Sequence, residues 1–570
     1  MNRNSDTYFS KNPARVDLPR SVIPRDQELI FTASVGQVIP FFWDEVLPGS
    51  THSIDTAKVI RMQTPITPFF GDMFCDFYYF FVPNRLVWEH WQEFCGENKT
   101  SAWIPEVEYT IPQIKSPTLN GVSNGWLEGS IADYMGIPTN VPNLSVSALP
   151  FRAVALVMNE FFRDENLTDP LNIPLGDSDV TPDLADEADY INGVAQGMIP
   201  FKAAKTFDYF TAGLPGPQKL AEPVSINLSN IPQSAPVVGN GYSLGLLAAN
   251  DSVHLASSSG ALRMYSGKSS SYEAGSSSLG TADSGNYSVG LSSTDSGVIA
   301  DLGDLADTTL MTINQLRQAF QVQKFYERMA TGGSRYIEIL KSMFGVTSPD
   351  ARLQRPEYLG GNRVPINVSQ VVQTSQTSTT PQGNVSAMSF TTDYHSDFTK
   401  SFVEHGILLG FAVVRYKHVY QQGIARQWSR KTKFDFYWPL FANLGAQPIL
   451  NKEIYAQGDQ VINNKTLEPY DNEVFAYQEA WAEYRYLPSR GSAEMRSNYS
   501  QSLDVWHLAD DYDNLPSLSD SWIREDPNPV DRVIAVSQKG YDSMLFDIMV
   551  KDKTTQPMPV YSIPGLVDHH

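Results

Sequence analysis

Between Glu28 and Val82 the apolar positions fall into short runs, "ELIFTASV", "QVIPFFWDEVL", "HSIDTAKVIRMQ" and "FCDFYYFFV", separated by Gly36, Pro48-Gly49 and the stretch from Pro65 to Gly71. Runs of β-branched and aromatic residues punctuated by Gly and Pro predict strands. In "FCDFYYFFV" both alternate sets are mostly apolar, so this strand is expected to be covered on both faces. After Pro83 the period changes. In "NRLVWEHWQEFCGEN" Val87, Trp91 and Phe94 share one helical face, and Gly96 stands where a helix stops. Helices are also predicted over Ser147–Asn166 and over Thr312–Gly345. In the latter, Thr312 is placed to cap, Ile313, Leu316 and Phe320 share a face, and Gly332-Gly333 divides the segment into a pair. Strand patterns return from His405 ("HGILLGFAVVRYKHVY"), at "DRVIAV" and at "DSMLFDIMV". Residues 224–305 are so rich in Ser and Gly that they predict a surface insertion or flexible segment without a core of its own.

No apolar run reaches the roughly 20 residues of a membrane-spanning helix. The longest aromatic strip breaks at Pro83-Asn84-Arg85, and Ile407–Val414 is followed by Arg415 and Lys417. The first residues carry Arg3, Lys11, Arg15, Arg20 and Arg25 without the apolar stretch of a secretory signal. A cytosolic origin is therefore expected, with Cys75 and Cys95 reduced. Charged residues are 18% of the chain and aromatics 12%, against about 25% charged in ordinary globular proteins. Either the core is large or much of the surface is buried against other chains.

A net charge of −21 excludes a protein that coats nucleic acid along its whole surface, since phosphate binding needs clustered Lys and Arg. One local exception stands out, "RYKHVYQQGIARQWSRKTK". It places Arg415, Lys417, Arg426, Arg430, Lys431 and Lys433 among Tyr416, Tyr420 and Trp428, with no acidic residue. Basic groups interleaved with stacking aromatics suit single-stranded nucleic acid, and these basic residues with Trp428 are the candidate contacts. The competing reading is a strand pair with a solvated basic face.

Catalytic patterns fail on spacing. "GALRMYSGKS" has six residues between its glycines where a phosphate-binding loop has four, and "GNGYSLG" misses the dinucleotide spacing by one. "DSDVTPDLADEAD" carries Pro182 where a calcium loop wants glycine, and it reads, like Asp510, Asp511 and Asp513, as a solvated acidic loop. No metal-ligand spacing occurs among the histidines, and neither a GxSxG elbow nor a cysteine nucleophile motif is present. No enzyme, metal or cofactor is expected.

Four segments carry a resemblance: "FYYFFVPNRLVWEHW", "DYFTAGLPGPQK", "QLRQAFQVQKFYERMATGGSRYIEILKSMFGVTSPDARLQRPEYLGG" and the C-terminal "PGLVDHH". The chain from about Ile30 to His570 resembles the major capsid proteins of the Microviridae, above all the gokushovirus branch. The resemblance implies a mainly β protein, an eight-stranded jelly roll with long helical and loop insertions. It also implies a T=1 icosahedral shell of 60 copies, built from pentamers around circular single-stranded DNA and assembled in a host cytoplasm. A small basic packaging protein, spike or scaffolding proteins and a host surface receptor are the further partners it implies, with no membrane insertion. An acidic shell cannot neutralise a genome, so counter-charge is expected from such a protein, from cations or from inward-facing basic patches, for which Arg415–Lys433 and the N-terminal arm are the candidates.

On this basis the chain divides into an arm (1–27), first strands with helical insertions (28–223), a Ser/Gly insertion projecting at the threefold axes (224–305), a helix pair with a Pro/Gly-punctuated loop (306–361), and the remaining strands with a tail (362–570). Trp88, Trp91, Arg352, Arg355 and Glu357 are the candidate subunit contacts; the last three, with Asp350, lie in "SPDARLQRPEYLGG" and are expected to pair either across a boundary or within the subunit. The alternative is a carbohydrate-binding or adhesive β-sandwich, because jelly rolls also host lectins. A hydrolase on a β scaffold is weaker, since no site supports it.

Overall fold

The computed structural model describes residues 19–97, 107–186, 189–219, 313–333, 335–377, 382–383, 385–535 and 541–561, with short strands between 237 and 300. The first four predicted strands form as β1 (Ser21–Ala33), β2 (Val38–Val46), β3 (Thr51–Met62) and β4 (Met73–Pro83). Later in the chain come β5 (Glu357–Gly360), β6 (Arg363–Pro365), the hairpin β7 (Val368–Val372) and β8 (Val385–Ser389), then β9 (Thr391–Ser401) and β10 (Gly406–Tyr416). A second pair, β11 (Ala446–Leu450) and β12 (Val474–Glu479), precedes the last strand, β13 (Met544–Gln556).

Two antiparallel sheets result. One has the order β1-β13-β3-β9 and the other β5-β4-β10-β2, with β6 also paired to β4. Among the described residues the two sheets hold nine strands, β5 and β6 sharing one side of β4. The chain changes sheet between β1 and β2, β2 and β3, and β3 and β4, which is jelly-roll connectivity. At the first of these crossings Gly36 takes a left-handed φ of 83°, and a Cβ there would lie 2.6 Å from the Glu525 side chain, so the turn requires glycine.

The sandwich interior joins Phe31, Ile54, Phe546 and Ile548 of one sheet to Phe41, Phe77, Tyr79 and Leu408 of the other. The outer face of the second sheet is covered too: Phe80, Val82, Leu409, Phe411 and Val413 pack with Trp88, Trp126 and helix α1 (Leu149–Val157). Phe74–Val82 is thus covered on both faces, as its pattern requires. The one charge in the strip, Asp76, is 3% exposed and lies between two guanidinium groups. Arg363 bonds both its oxygens, at 2.6 and 3.0 Å, and Arg415 approaches at 2.5 Å.

The inward side of β3 is less apolar, with His52, Thr56 and Lys58 all fully buried beside Ile54 and Ile60. Each has a partner, as buried polar groups require. His52 lies 3.0 Å from Asp552, Thr56 meets the Tyr79 hydroxyl at 2.6 Å, and Lys58 donates to Asn362 and sits 4.3 Å above the Phe77 ring. Burial lowers the Lys58 pKa against the pull of Asp397 and Asp393.

Three expectations change. Residues 21–27, assigned to the arm, belong to β1, which pairs along its whole length with β13. In "NRLVWEHWQEFCGEN" only Asn84–Leu86 and Trp91–Phe94 form short helical turns, because Val87 and Trp88 sink fully into the core and fix that backbone by tertiary contact. The first half of "DRVIAV", Asp531–Val533, ends a helix, Asn528–Val533, with Pro529 in its first turn, and Ile534 beyond it is extended and bridges Pro65. The predicted helix pair forms as α2 (Ile313–Gly332) and α3 (Tyr336–Phe344), closed by Gly345 at φ 70°. Thr312 lies outside the described residues.

The chain divides into two units, 1–221 with 326–570, and 222–325. The second unit contains the Ser/Gly-rich stretch and begins and ends beyond its expected limits. Its described strands are Val237–Gly239 paired with Val298–Ala300, and Leu246–Ala248 paired with His254–Leu255 and Tyr287–Ser288. "GALRMYSGKS", most of "GNGYSLG" and "PGLVDHH" lie outside the described residues. No described helix is long and apolar enough to cross a membrane.

Candidate nucleic-acid interface and subunit contacts

The basic run from Arg415 to Lys433 leaves β10 and crosses a loop into short helical turns, and its cations part into two groups. Arg415 is committed to Asp76 and to the Tyr78 hydroxyl at 3.0 Å; burial pushes that phenol up to about 12. Arg426 donates to the Pro448 carbonyl at 2.8 Å and lies 3.5 Å from Glu453. Glu453 is itself buried, which raises its pKa, and it accepts from the Tyr209 hydroxyl and the Leu450 amide. Arg430 bonds Glu483 at 3.1 Å and packs over the Tyr484 and Phe436 rings. The charge on these three arginines is thus answered within the subunit. Lys417, Trp428, Lys431 and Lys433 are exposed.

Trp428 borders a cavity of about 590 Å³ lined also by Arg426, Tyr420, Tyr486, Arg490 and Arg496, a size within the range of small-ligand sites. Arg490 and Arg496 were not legible as members of this site. They arrive through a backbone bridge between Tyr420 and Arg490 and a bond from Arg496 to the Gln421 carbonyl at 2.7 Å. Arg490 is exposed. Beneath the cavity a small core of Tyr209, Phe210, Ile449, Phe475 and Trp522 anchors the loops. In that core Asp208, from "DYFTAGLPGPQK", caps the Phe210 and Thr211 amides and accepts from the Tyr420 hydroxyl at 2.6 Å.

Next to it, His418 is fully buried between two carboxylates. Its Nδ1 lies 3.0 Å from Asp510, and its Nε2 is 2.9 Å from Glu525 as an ion pair outside good hydrogen-bond geometry. Burial works to lower the His418 pKa, but Asp510 and Glu525 outweigh it and bring it to about 9. Asp510 is 4% exposed, so it is no part of a solvated acidic loop. Within "DSDVTPDLADEAD", Asp177 accepts from Trp88 and His90, Asp179 pairs with Lys115 at 3.2 Å, and Asp189 caps the Ile191 amide.

Among the described residues one set offers metal-type ligand atoms together: Asp44, His52 and Asp552, within 4.8 Å of one another. The Arg25 guanidinium already grips both Asp44 oxygens, at 2.6 and 2.7 Å, so a cation occupies the charge that a metal would answer.

The expected subunit contacts also divide. Trp88 is fully buried, its indole donating to Asp177 at 2.7 Å, which removes it from any boundary. Arg355 pairs with Asp350 at 3.4 Å and Glu160 at 3.7 Å and stacks 4.3 Å from the Phe161 ring. Glu357 pairs with Lys400. Both pairings lie inside the subunit, the second of the two arrangements expected for this run. Trp91 is half-buried against Trp88, Phe94 and His405, and Arg352 is exposed.

A family model described as capsid protein (F protein) matches residues 14–566. Capsid protein VP1 of Bdellovibrio phage phiMH2K is 39% identical over 573 residues, covering 99% of this chain and 98% of that protein. Those of Chlamydia phage 1 (38% over 590 residues; 98% and 97% covered) and Spiroplasma virus 4 (37% over 559 residues; 96% of each) are similar over nearly their full lengths.

Proposed function

The chain belongs to the capsid protein (F protein) family, and from that premise we propose how this virion subunit, a structural protein and not an enzyme, encloses its genome. Sixty copies close a T=1 shell through pentamers, around circular single-stranded DNA, in the host cytoplasm. Residues 224–305, most of which lie outside the described residues, are in this reading the segment that meets a host receptor. Because the subunit is acidic, most of the genome's counter-charge comes from a small basic packaging protein or from cations, and the subunit itself touches DNA at few places.

The observation that carries the DNA contact is the cavity beside Trp428. An exposed indole and Tyr486 can stack on bases, while exposed Arg490 supplies an unmatched cation, the combination that single strands favour. Arg426 and Arg430 are given no DNA contact in this reading, because each already faces a buried carboxylate, Glu453 or Glu483. The test is a Trp428→Ala, Arg490→Ala double variant in particles assembled with all viral partners. Shells should form with normal yield, and their DNA should be released at lower salt than in wild-type particles. Identical DNA content and salt dependence would exclude this cavity as the contact.

A further inference from the structure

Directly after the basic run, "KFDFYWPLFANL" (433–444) presents large apolar side chains to solvent although its backbone is tied down. Asp435 accepts from the Lys431 and Thr432 amides at 2.8 and 2.6 Å, and these bonds hold its pKa below the usual carboxylate range. The Trp438 indole donates to the Lys433 carbonyl at 2.8 Å, and the Trp481 indole to the Phe441 carbonyl at 2.9 Å. On this fixed loop Phe434 is 61% exposed, Trp438 49%, Leu440 93% and Leu444 58%, with Phe436, Tyr437 and neighbouring Tyr484 about half exposed. At about 200 Å² per large side chain the patch offers roughly 800 Å². That exceeds the roughly 300–600 Å² of a typical monomer's largest apolar patch and approaches the about 800 Å² per partner of a stable interface.

We propose that the surface from Phe434 to Leu444 is a docking face for a second copy of this chain, engaged head to tail. The inference rests on the reading of the chain as a shell subunit. The charge around the patch sets the orientation. Lys431 and Lys433 flank it at one end, Arg430 there being already paired with Glu483; Asp435, the one acid between Phe434 and Leu444, accepts from the Lys431 and Thr432 amides, and Glu327 approaches only the far end, at Gly445. Two such faces meeting each other would bring like charges together. The rest of a chain of net charge −21 is acidic, so a different surface of the neighbouring copy is the complementary partner. A face that meets a different face generates a ring or shell instead of a closed pair.

The test compares Leu440→Glu with Val403→Glu, which alters an equally solvent-exposed side chain (88%) outside the patch, in full-length chains co-expressed with the other viral proteins. Leu440→Glu should leave the thermal midpoint of the unassembled subunit unchanged and reduce closed shells by about tenfold or more, while Val403→Glu assembles normally. Normal shells from Leu440→Glu would overturn the docking face, whereas no shells from the wild-type chain in the same cells would overturn the shell reading beneath it. A photo-crosslinker in place of Trp438 supplies the second readout. Crosslinks to an acidic surface of another copy support the proposal, and crosslinks to DNA alone would reassign the patch to the genome.

Discussion

Phe74–Val82 and Phe434–Leu444 are nearly matched in aromatic content, and the fold treats them in opposite ways. The first is a central strand with side chains on both faces in packed cores, its single acid clamped by two arginines. The second is a loop whose backbone is tied by bonds to its own neighbourhood and to the Trp481 indole, while most of its rings remain outside. Aromatic content alone thus says that area will be buried, and the backbone decides whether by the subunit or by its neighbours.

The sharpest way to break this contrast is to truncate one ring on each side. Phe80→Ala should cost the isolated subunit about 3–5 kcal/mol, because Phe80 is 1% exposed and its ring meets Phe161 at 4.6 Å. Leu440→Ala should change stability by no more than about 0.5 kcal/mol. Equal losses in chemical denaturation would show that the loop is part of the core.

A second contrast uses pH at the end of β10, where the chain passes from strand to basic loop. The folded His418 pKa of about 9 lies above the unfolded value of about 6.5, so its contribution is full below about pH 6.5 and is lost as pH rises through 9. About 3 kcal/mol should disappear across that window, and His418→Gln should flatten the slope. A wild-type subunit whose stability is constant from pH 6.5 to 9 would show that the imidazole is not charged when folded.

The smallest difference concerns the two acids. Asp76→Asn removes a carboxylate shared by Arg363 and Arg415 and should cost about 2–3 kcal/mol, while Asp435→Asn, at an exposed loop, should leave the denaturation midpoint nearly unchanged. Similar midpoints for the two variants would count against the clamp.

Much of the fold was legible where periodicity speaks locally. The first four strands, the long runs at β10 and β13 and the α2–α3 pair lie close to where their patterns put them. What failed was decided by distant partners. Trp88 reads as one more aromatic on a short helix until Asp177 and the core beneath α1 claim it. The basic run reads as a nucleic-acid patch until Asp76, Glu453 and Glu483, all far away in sequence, take up its three arginines. Asp510 reads as a surface acid because nothing nearby in sequence announces His418. Periodicity shows which side of an element is apolar, but charge pairing across loops has no period, so the candidate site was the least legible part.

The pairing of β1 with β13 also carries a consequence for timing. β13 is the strand between β1 and β3, yet Ala33 must wait for Met544 to leave the ribosome before the two can pair. At about 5–20 residues per second, the roughly 500 residues between them take on the order of 25–100 s to make. Throughout that interval β1 and β3 hold open edges beside a gap that only β13 can fill. Folding of this sheet is therefore necessarily a late event, and a prematurely terminated chain would leave the ribosome with two unfilled strand edges, the form most prone to join another like it.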